Sequence, residues 1–207
     1  RLWGPEGVPA VATYTTARDH FHAFLPEAAE CYKLLAEALP DGATYPMSFS
    51  ADMQRVIVTT QSDRDVGTYY LLDRKLGRLG GLGAALPSRP ASALVATQTV
   101  ETKTRDGLAF TGRLTSPSGV SKPPLLVMVG PGIVGPRVDA AYDATAQFLA
   151  SRGYAAVRFY VRGTAGFGLD FQRAGDLKIT SGVIDDHEDG IAALAAAGKI
   201  DLQRVGM

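Results

Sequence analysis

Apolar residues change their spacing along the chain, and each change predicts a different kind of element. Val11 to Tyr14 is a short β-branched and aromatic run that reads as a strand. After Pro26-Glu27, the residues Cys31, Leu34, Leu35 and Ala38 recur at i, i+3, i+4 and i+7, the stripe of an amphipathic helix that ends before Pro40-Asp41-Gly42. Arg55-Val-Ile-Val-Thr-Thr60 and Thr68-Tyr-Tyr-Leu-Leu72, joined by the turn-rich Gln61 to Gly67, read as an antiparallel pair. Ser50-Ala51-Asp52 before the pair and Asp73-Arg74-Lys75 after it supply the turns of a four-stranded meander, the kind that makes a propeller blade. One blade alone cannot bury both of its faces. The Gly77 to Gly83 stretch follows a charged turn and lacks the Gly-Lys-Ser/Thr ending of a phosphate loop, so it reads as a turn.

The pattern shifts around Leu86-Pro87-Ser88-Arg89-Pro90, which divides the chain into residues 1–95 and 96–207. Thr99 to Thr104 and Leu108 to Leu114 form a hairpin around Arg105-Asp106-Gly107, where Asp-Gly suits the positive φ of a tight turn. Beyond it, buried strands alternate with helices: Leu125 to Val129, helix Ala140 to Arg152, Tyr154 to Val161, helix Val183 to Ala197, and a strand beginning at Val205. That order predicts an α/β domain with a parallel sheet covered on both faces.

Composition narrows the function classes. The chain has 207 residues, 46% of them hydrophobic and 20% charged, which suits one medium or two small globular domains. Its 21 basic and 21 acidic residues cancel, so no field gathers nucleic acid or anionic lipid. The uncharged stretch Pro123 to Pro136 is broken by Gly and Pro and is shorter than the roughly 20 residues of a membrane span. A single cysteine, Cys31, excludes an internal disulfide framework and leaves the compartment open, with the cytoplasm favoured over export. The chain opens Arg1-Leu2-Trp3 without an initiator Met and stops at Val205-Gly206-Met207, so both ends read as cut.

Several clusters invite chemistry. Gly130-Pro131-Gly132-Ile133-Val134-Gly135 satisfies G-x-G-x-x-G after an apolar strand. Pro131 and Pro136 stiffen a loop that should turn directly into a helix, and the next strand ends Tyr160-Val161-Arg162 without an acid, so a wide loop fits better than a dinucleotide site. His187 among Asp185, Asp186 and Asp189 sits at helical spacing from Ile184, Ile191 and Leu194, and reads as a histidine at the edge of a buried helix face. The three acids read as caps and charges for the first part of that helix. His20 and His22 share one side of a strand but lack a third ligand, so no metal site is assigned. Cys31 reads as a small buried apolar residue.

The hairpin led by Asp106-Gly107, the apolar strand ending in Gly130-Pro131, Phe148-Leu-Ala-Ser-Arg-Gly-Tyr154, Arg162-Gly163-Thr164-Ala165-Gly166-Phe167-Gly168, Asp185-Asp186-x-x-Asp189-Gly190 and Asp201-x-x-Arg204-Val205-Gly206 follow one another in the order of a known fold. This resembles the first half of the α/β-hydrolase domain of the prolyl oligopeptidase family of serine peptidases, and Ser50 to Asp73 resembles the closing blades of the β-propeller that precedes it. The resemblance implies a peptide substrate, acyl-enzyme chemistry and no cofactor. It also implies a catalytic serine just after the strand begun by Arg204-Val205-Gly206-Met207, with acid and histidine further on. No Gly-x-Ser-x-Gly occurs in the 207 residues, so no catalytic residue is assigned within this chain, and the remainder of the protein is expected to complete the triad. By the same resemblance Gly130 is the oxyanion-hole candidate, offering its backbone N–H, with Met128 and Pro131 as loop neighbours. Met128 stands where the family has His or Tyr, and a thioether donates nothing. Arg162 is expected to tie loops together. Alternatives are an esterase on the same hydrolase core and a nucleotide-binding or non-catalytic interaction module.

Overall fold

The computed structural model describes residues 2–3, 7–15, 19–39, 43–87, 91–129, 141–176, 178 and 181–207. They pack as two compact units, Arg1–Ala93 with Asp139–Tyr142, and Leu94–Val138 with Asp143–Met207.

In the first unit, β1 (Leu2–Trp3), β2 (Pro9–Thr15) and β3 (Asp19–Ala23) form an antiparallel sheet. Helix α1 (Pro26–Ala38) follows, and then β4 (Ala43–Phe49), β5 (Arg55–Ser62), β6 (Asp65–Asp73) and β7 (Arg78–Ala84) form an antiparallel meander in chain order. Helix α1 starts with Pro26 in its first turn, where the missing N–H costs nothing. Its buried stripe is Ala28, Cys31 and Leu35. Leu34 is half-buried and Ala38 exposed, so the stripe is turned toward the N-terminus of the helix relative to the expected one. Ala28 packs with Ala10 and Val11, while Cys31 and Leu35 pack with Val56, Val58 and Leu72. One helix face therefore covers both sheets of this unit.

The expectation of a turn over Gly77 to Gly83 is corrected: only Gly77 turns, at φ 59°, and Arg78–Ala84 is an edge strand. Its ladder to β6 needs no side chains, and Gly80, Gly81 and Gly83 face open space. Glycines carry no apolar alternation, which is why the pattern hid the strand.

The second unit holds β8 (Thr97–Lys103), β9 (Ala109–Thr115), β10 (Pro124–Val127), α2 (Ala144–Ser151), β11 (Ala155–Tyr160), α3 (Leu169–Arg173), α4 (Gly182–Ala196) and β12 (Asp201–Gly206). The sheet runs β12-β10-β11-β9-β8. Strands β12, β10 and β11 are parallel, and the β8–β9 hairpin joins antiparallel through β9, making the sheet mixed. The hairpin turn closes with Gly107 at φ 88°. Leu114, Leu125, Val127, Val157, Phe159, Leu194 and Ile200 fill one core. Asp143 caps α2 by accepting the N–H groups of Thr145 and Ala146, both at 3.0 Å. Strand β12 begins at Asp201, ahead of the expected Val205, because the Asp201 N–H donates to the Pro123 carbonyl at 3.0 Å and starts the ladder there. No described helix is long and apolar enough to cross a membrane.

Candidate active site

Three parallel strands send their carboxyl ends to one edge of the sheet. Strand β10 lies between β11 and β12, so the connections out of it and back across it leave on opposite sides, the arrangement that opens a ligand crevice in α/β sheets. Leu126 pairs with both Gly206 and Ala156, which sets the ends of β10 and β12 next to each other. The Met128 N–H donates to the Val157 carbonyl at 2.8 Å, so β11 carries the root of the loop after β10. The Met128 side chain is half-buried and Val129 is exposed. The oxyanion candidate Gly130 and its neighbour Pro131, with the rest of the glycine run to Gly135, lie outside the described residues.

Just past β11, Arg162 ties three elements together. Its backbone N–H donates to Asp186 Oδ2 at 2.9 Å, its Nε to both Asp186 oxygens at 3.0 Å, and its Nη2 to Asp186 Oδ1 at 2.7 Å. Nη1 and Nη2 also donate to the two oxygens of Asp106, each at 2.9 Å. The Arg162 side chain is 4% exposed and that of Asp186 is 0% exposed. Fork-to-carboxylate geometry of this kind gives the strongest ion pairing available to a side chain. The Arg162 guanidinium and the Thr104 hydroxyl hold the Asp106 carboxyl far below the usual carboxylate range. Two glycines make room: a Cβ on Gly182 would stand 3.0 Å from Arg162 Cδ, and one on Gly175 would stand 2.7 Å from Gly163 Cα. An open cleft of about 650 Å³ lies beside this network, lined among others by Asp106, Leu108, Arg162, Arg173, Asp176 and Lys178.

This corrects the reading of the acids on α4 as caps. The residue ahead of the helix, Ser181, makes no side-chain cap, and Asp186 is the buried partner of Arg162. Asp185, Glu188 and Asp189 hold Arg105 instead, at 3.1, 3.0 and 2.9 Å, and Asp189 also accepts the Arg105 backbone N–H. Gly182, Asp186, Gly190 and Leu194 are all buried at four-residue spacing. An acid on a stripe flanked by glycines is the sequence signal that points to a buried ion pair.

His187 is a core residue: it is buried, its Nδ1–H donates to the Val183 carbonyl at 2.8 Å, and its ring stands edge-on to Phe159. His20 and His22 share β3, where His22 packs edge-on against Phe24, and among the described residues no three His, Cys, Asp or Glu side chains are grouped to hold a metal. Cys31 is fully buried, and burial pushes its thiol up to about 11, far from a nucleophile's range.

Comparison with known proteins agrees with this geometry. The chain shares the fold of puromycin hydrolase, with 21% identity and a TM-score of 0.62 over 79% of this chain and 26% of that one. It likewise matches the acylaminoacyl peptidase of Pyrococcus horikoshii at 25% identity and a TM-score of 0.60, over 81% of this chain and 27% of that one. The fold is thus that of the first half of an α/β-hydrolase domain preceded by the closing blades of a β-propeller. Residues 140–207 match the sequence profile of the prolyl oligopeptidase family. Dipeptidyl aminopeptidase BIII of Pseudoxanthomonas mexicana is 31% identical over 163 residues, 75% of this chain and 24% of that protein. The chain thus resembles the prolyl oligopeptidase family, and it spans about a quarter of the length of these relatives.

Proposed function

We propose that these residues are part of a serine peptidase that hydrolyses short peptides through an acyl-enzyme, with residues 1–95 ending a β-propeller and residues 96–207 opening the hydrolase domain. The observation that carries the reading is the pairing of Leu126 with Gly206, which brings the end of β10 beside the end of β12. In an α/β-hydrolase the nucleophile stands on a strained turn after the second of these strands, and an oxyanion donor comes from the loop after the first. Gly130 is the donor in this reading, and the serine, acid and histidine lie beyond Met207. The serine attacks the peptide carbonyl, histidine takes its proton and returns it to the leaving amine, and water then releases the acyl group. The Gly130 N–H and the N–H following the serine hold the negative charge that develops on the carbonyl oxygen.

The test is labelling with a fluorophosphonate. The full-length protein should react at one serine beyond Met207, and the 207 residues alone should stay unlabelled, since they contain no Gly-x-Ser-x-Gly elbow to activate a serine. Stoichiometric labelling of the isolated 207 residues would overturn the placement of the nucleophile.

A further inference from the structure

The Arg162 network joins three elements through one buried guanidinium. A buried ion pair costs desolvation that its attraction barely offsets, and apolar residues of the same volume often serve stability equally well. What the pair supplies instead is a fixed position. Arg162 reaches Asp186 on α4 with its backbone as well as its guanidinium, and it grips Asp106 in the β8–β9 turn with two parallel hydrogen bonds. Gly163 is held in turn, its N–H donating to the Phe171 carbonyl at 3.0 Å while Gly175 packs against its Cα. Strand β9 runs antiparallel to β11, with Thr111 opposite Tyr160, so the turn holding Asp106 lies at the same sheet edge as the ends of β10 and β12. Five residues before Arg162, Val157 accepts the Met128 N–H.

We propose that Arg162 is a positioning residue for the oxyanion loop: by anchoring the carboxyl end of β11 to α4 and to the β8–β9 turn, it fixes the strand on which Met128 and the residues after it are hung. It touches no substrate. The inference rests on the peptidase reading for its consequence in catalysis, and on the hydrogen bonds alone for its consequence in structure.

The test uses the full-length protein and two variants. One replaces the buried pair by apolar residues, Arg162→Met with Asp186→Leu. The other, Asp106→Asn, weakens only the exposed end of the network. Thermal midpoint, amide hydrogen exchange over residues 125–131 and the rate of fluorophosphonate labelling are read on each. The apolar pair leaves the buried N–H of residue 162 without its acceptor and Asp106 without its guanidinium, so its midpoint should fall. It should also exchange faster over 125–131 than over the rest of the sheet, and label on the order of 10- to 100-fold more slowly, the scale expected when a reacting geometry is misplaced by about an ångström. Asp106→Asn should move both readouts the same way by less, with kcat for a peptide falling while KM holds. Parent-like exchange and labelling in both variants would overturn the proposal. If the apolar pair does not fold, parent-like labelling and exchange in Asp106→Asn would overturn it. If the parent itself is not labelled, the peptidase reading fails, and exchange over 125–131 decides the positional claim by itself.

Discussion

Gly190 on α4 lies against the ring of Phe159 on β11: a Cβ built on it would stand 2.6 Å from Cζ. From β9, a Cβ on Gly112 would stand 2.7 Å from Cδ1 of the same ring. The ring is thus held by two glycines, with Phe110 and His187 edge-on to it. Gly190→Ala cannot be relieved by moving the ring toward Gly112. It should destabilise the full-length protein by about 1–3 kcal/mol, the usual cost of an overfilled core. Chemical denaturation followed by near-UV dichroism measures this, and a midpoint equal to the parent's would refute the contact.

Acid should loosen the hairpin turn. The Asp106 and Asp189 carboxyls are both lowered from 3.8, chiefly by hydrogen bonds from Arg162 and Arg105 respectively. A group whose folded-state pKa is depressed contributes stability at neutral pH, and that contribution is lost as pH falls below the unfolded value toward the folded one. The loss should therefore begin near about pH 4 and grow below it. Asp189→Asn should lower the thermal midpoint at about pH 7 and flatten its fall between about pH 5 and 3. Much of Arg105 is open to water, so added salt should weaken its share of the effect.

How much of this was written in the residue pattern differs from element to element. Arg55 to Thr60 and Thr68 to Leu72 are β-branched and aromatic runs bounded by turn residues, so β5 and β6 could be read directly, and Asp106-Gly107 announced the hairpin. Strand β7 could not be read, because Gly80, Gly81 and Gly83 have no side chains to alternate. Helix α3 has five residues, too few for a helical period, and is held by Phe171 packing on Phe167. Asp186 misled because an acid near a helix start ordinarily faces water; its burial depends on Arg162, which is 24 residues away and on another element. Arg162 was legible as a tie between loops, since a cation directly after a buried strand needs partners, though which carboxylates it takes is a matter of tertiary packing. The oxyanion candidate rests on the family likeness alone: a glycine after an apolar strand marks a loop, and no local pattern tells an oxyanion donor from any other N–H.

Turnover should separate Gly130 from Met128 in the full-length protein. Gly130→Pro removes the N–H assigned to the oxyanion and should lower kcat by roughly 10²–10³-fold, with strain from the ring adding to the loss. Met128→Ala should matter much less, because the thioether donates no hydrogen and the Met128 N–H is already committed to Val157. Steady-state kinetics on a short peptide substrate measures both. Equal losses at the two positions would mean that the oxyanion donor lies elsewhere on the loop.

The last expectation concerns the 207 residues by themselves. Strand β12 ends the sheet order, so one side of its backbone is unpaired, and Leu202, Val205 and Met207 are exposed on or beside it. In the other unit β7 is likewise an edge strand, nearly all of it exposed, with Leu82 uncovered. Exposed edges recruit strands from other chains, and uncovered apolar faces promote association. Expressed alone, the 207-residue polypeptide should aggregate or remain partly unfolded. Sedimentation as a monomer together with one sharp thermal transition would contradict this, and would mean that the exposed edges are tolerated without the rest of the protein. Adding charge at the edge by Val205→Lys, or at β7 by Leu82→Lys, should raise the soluble fraction if edge pairing is the route, and leave it unchanged if aggregation starts from an unfolded core.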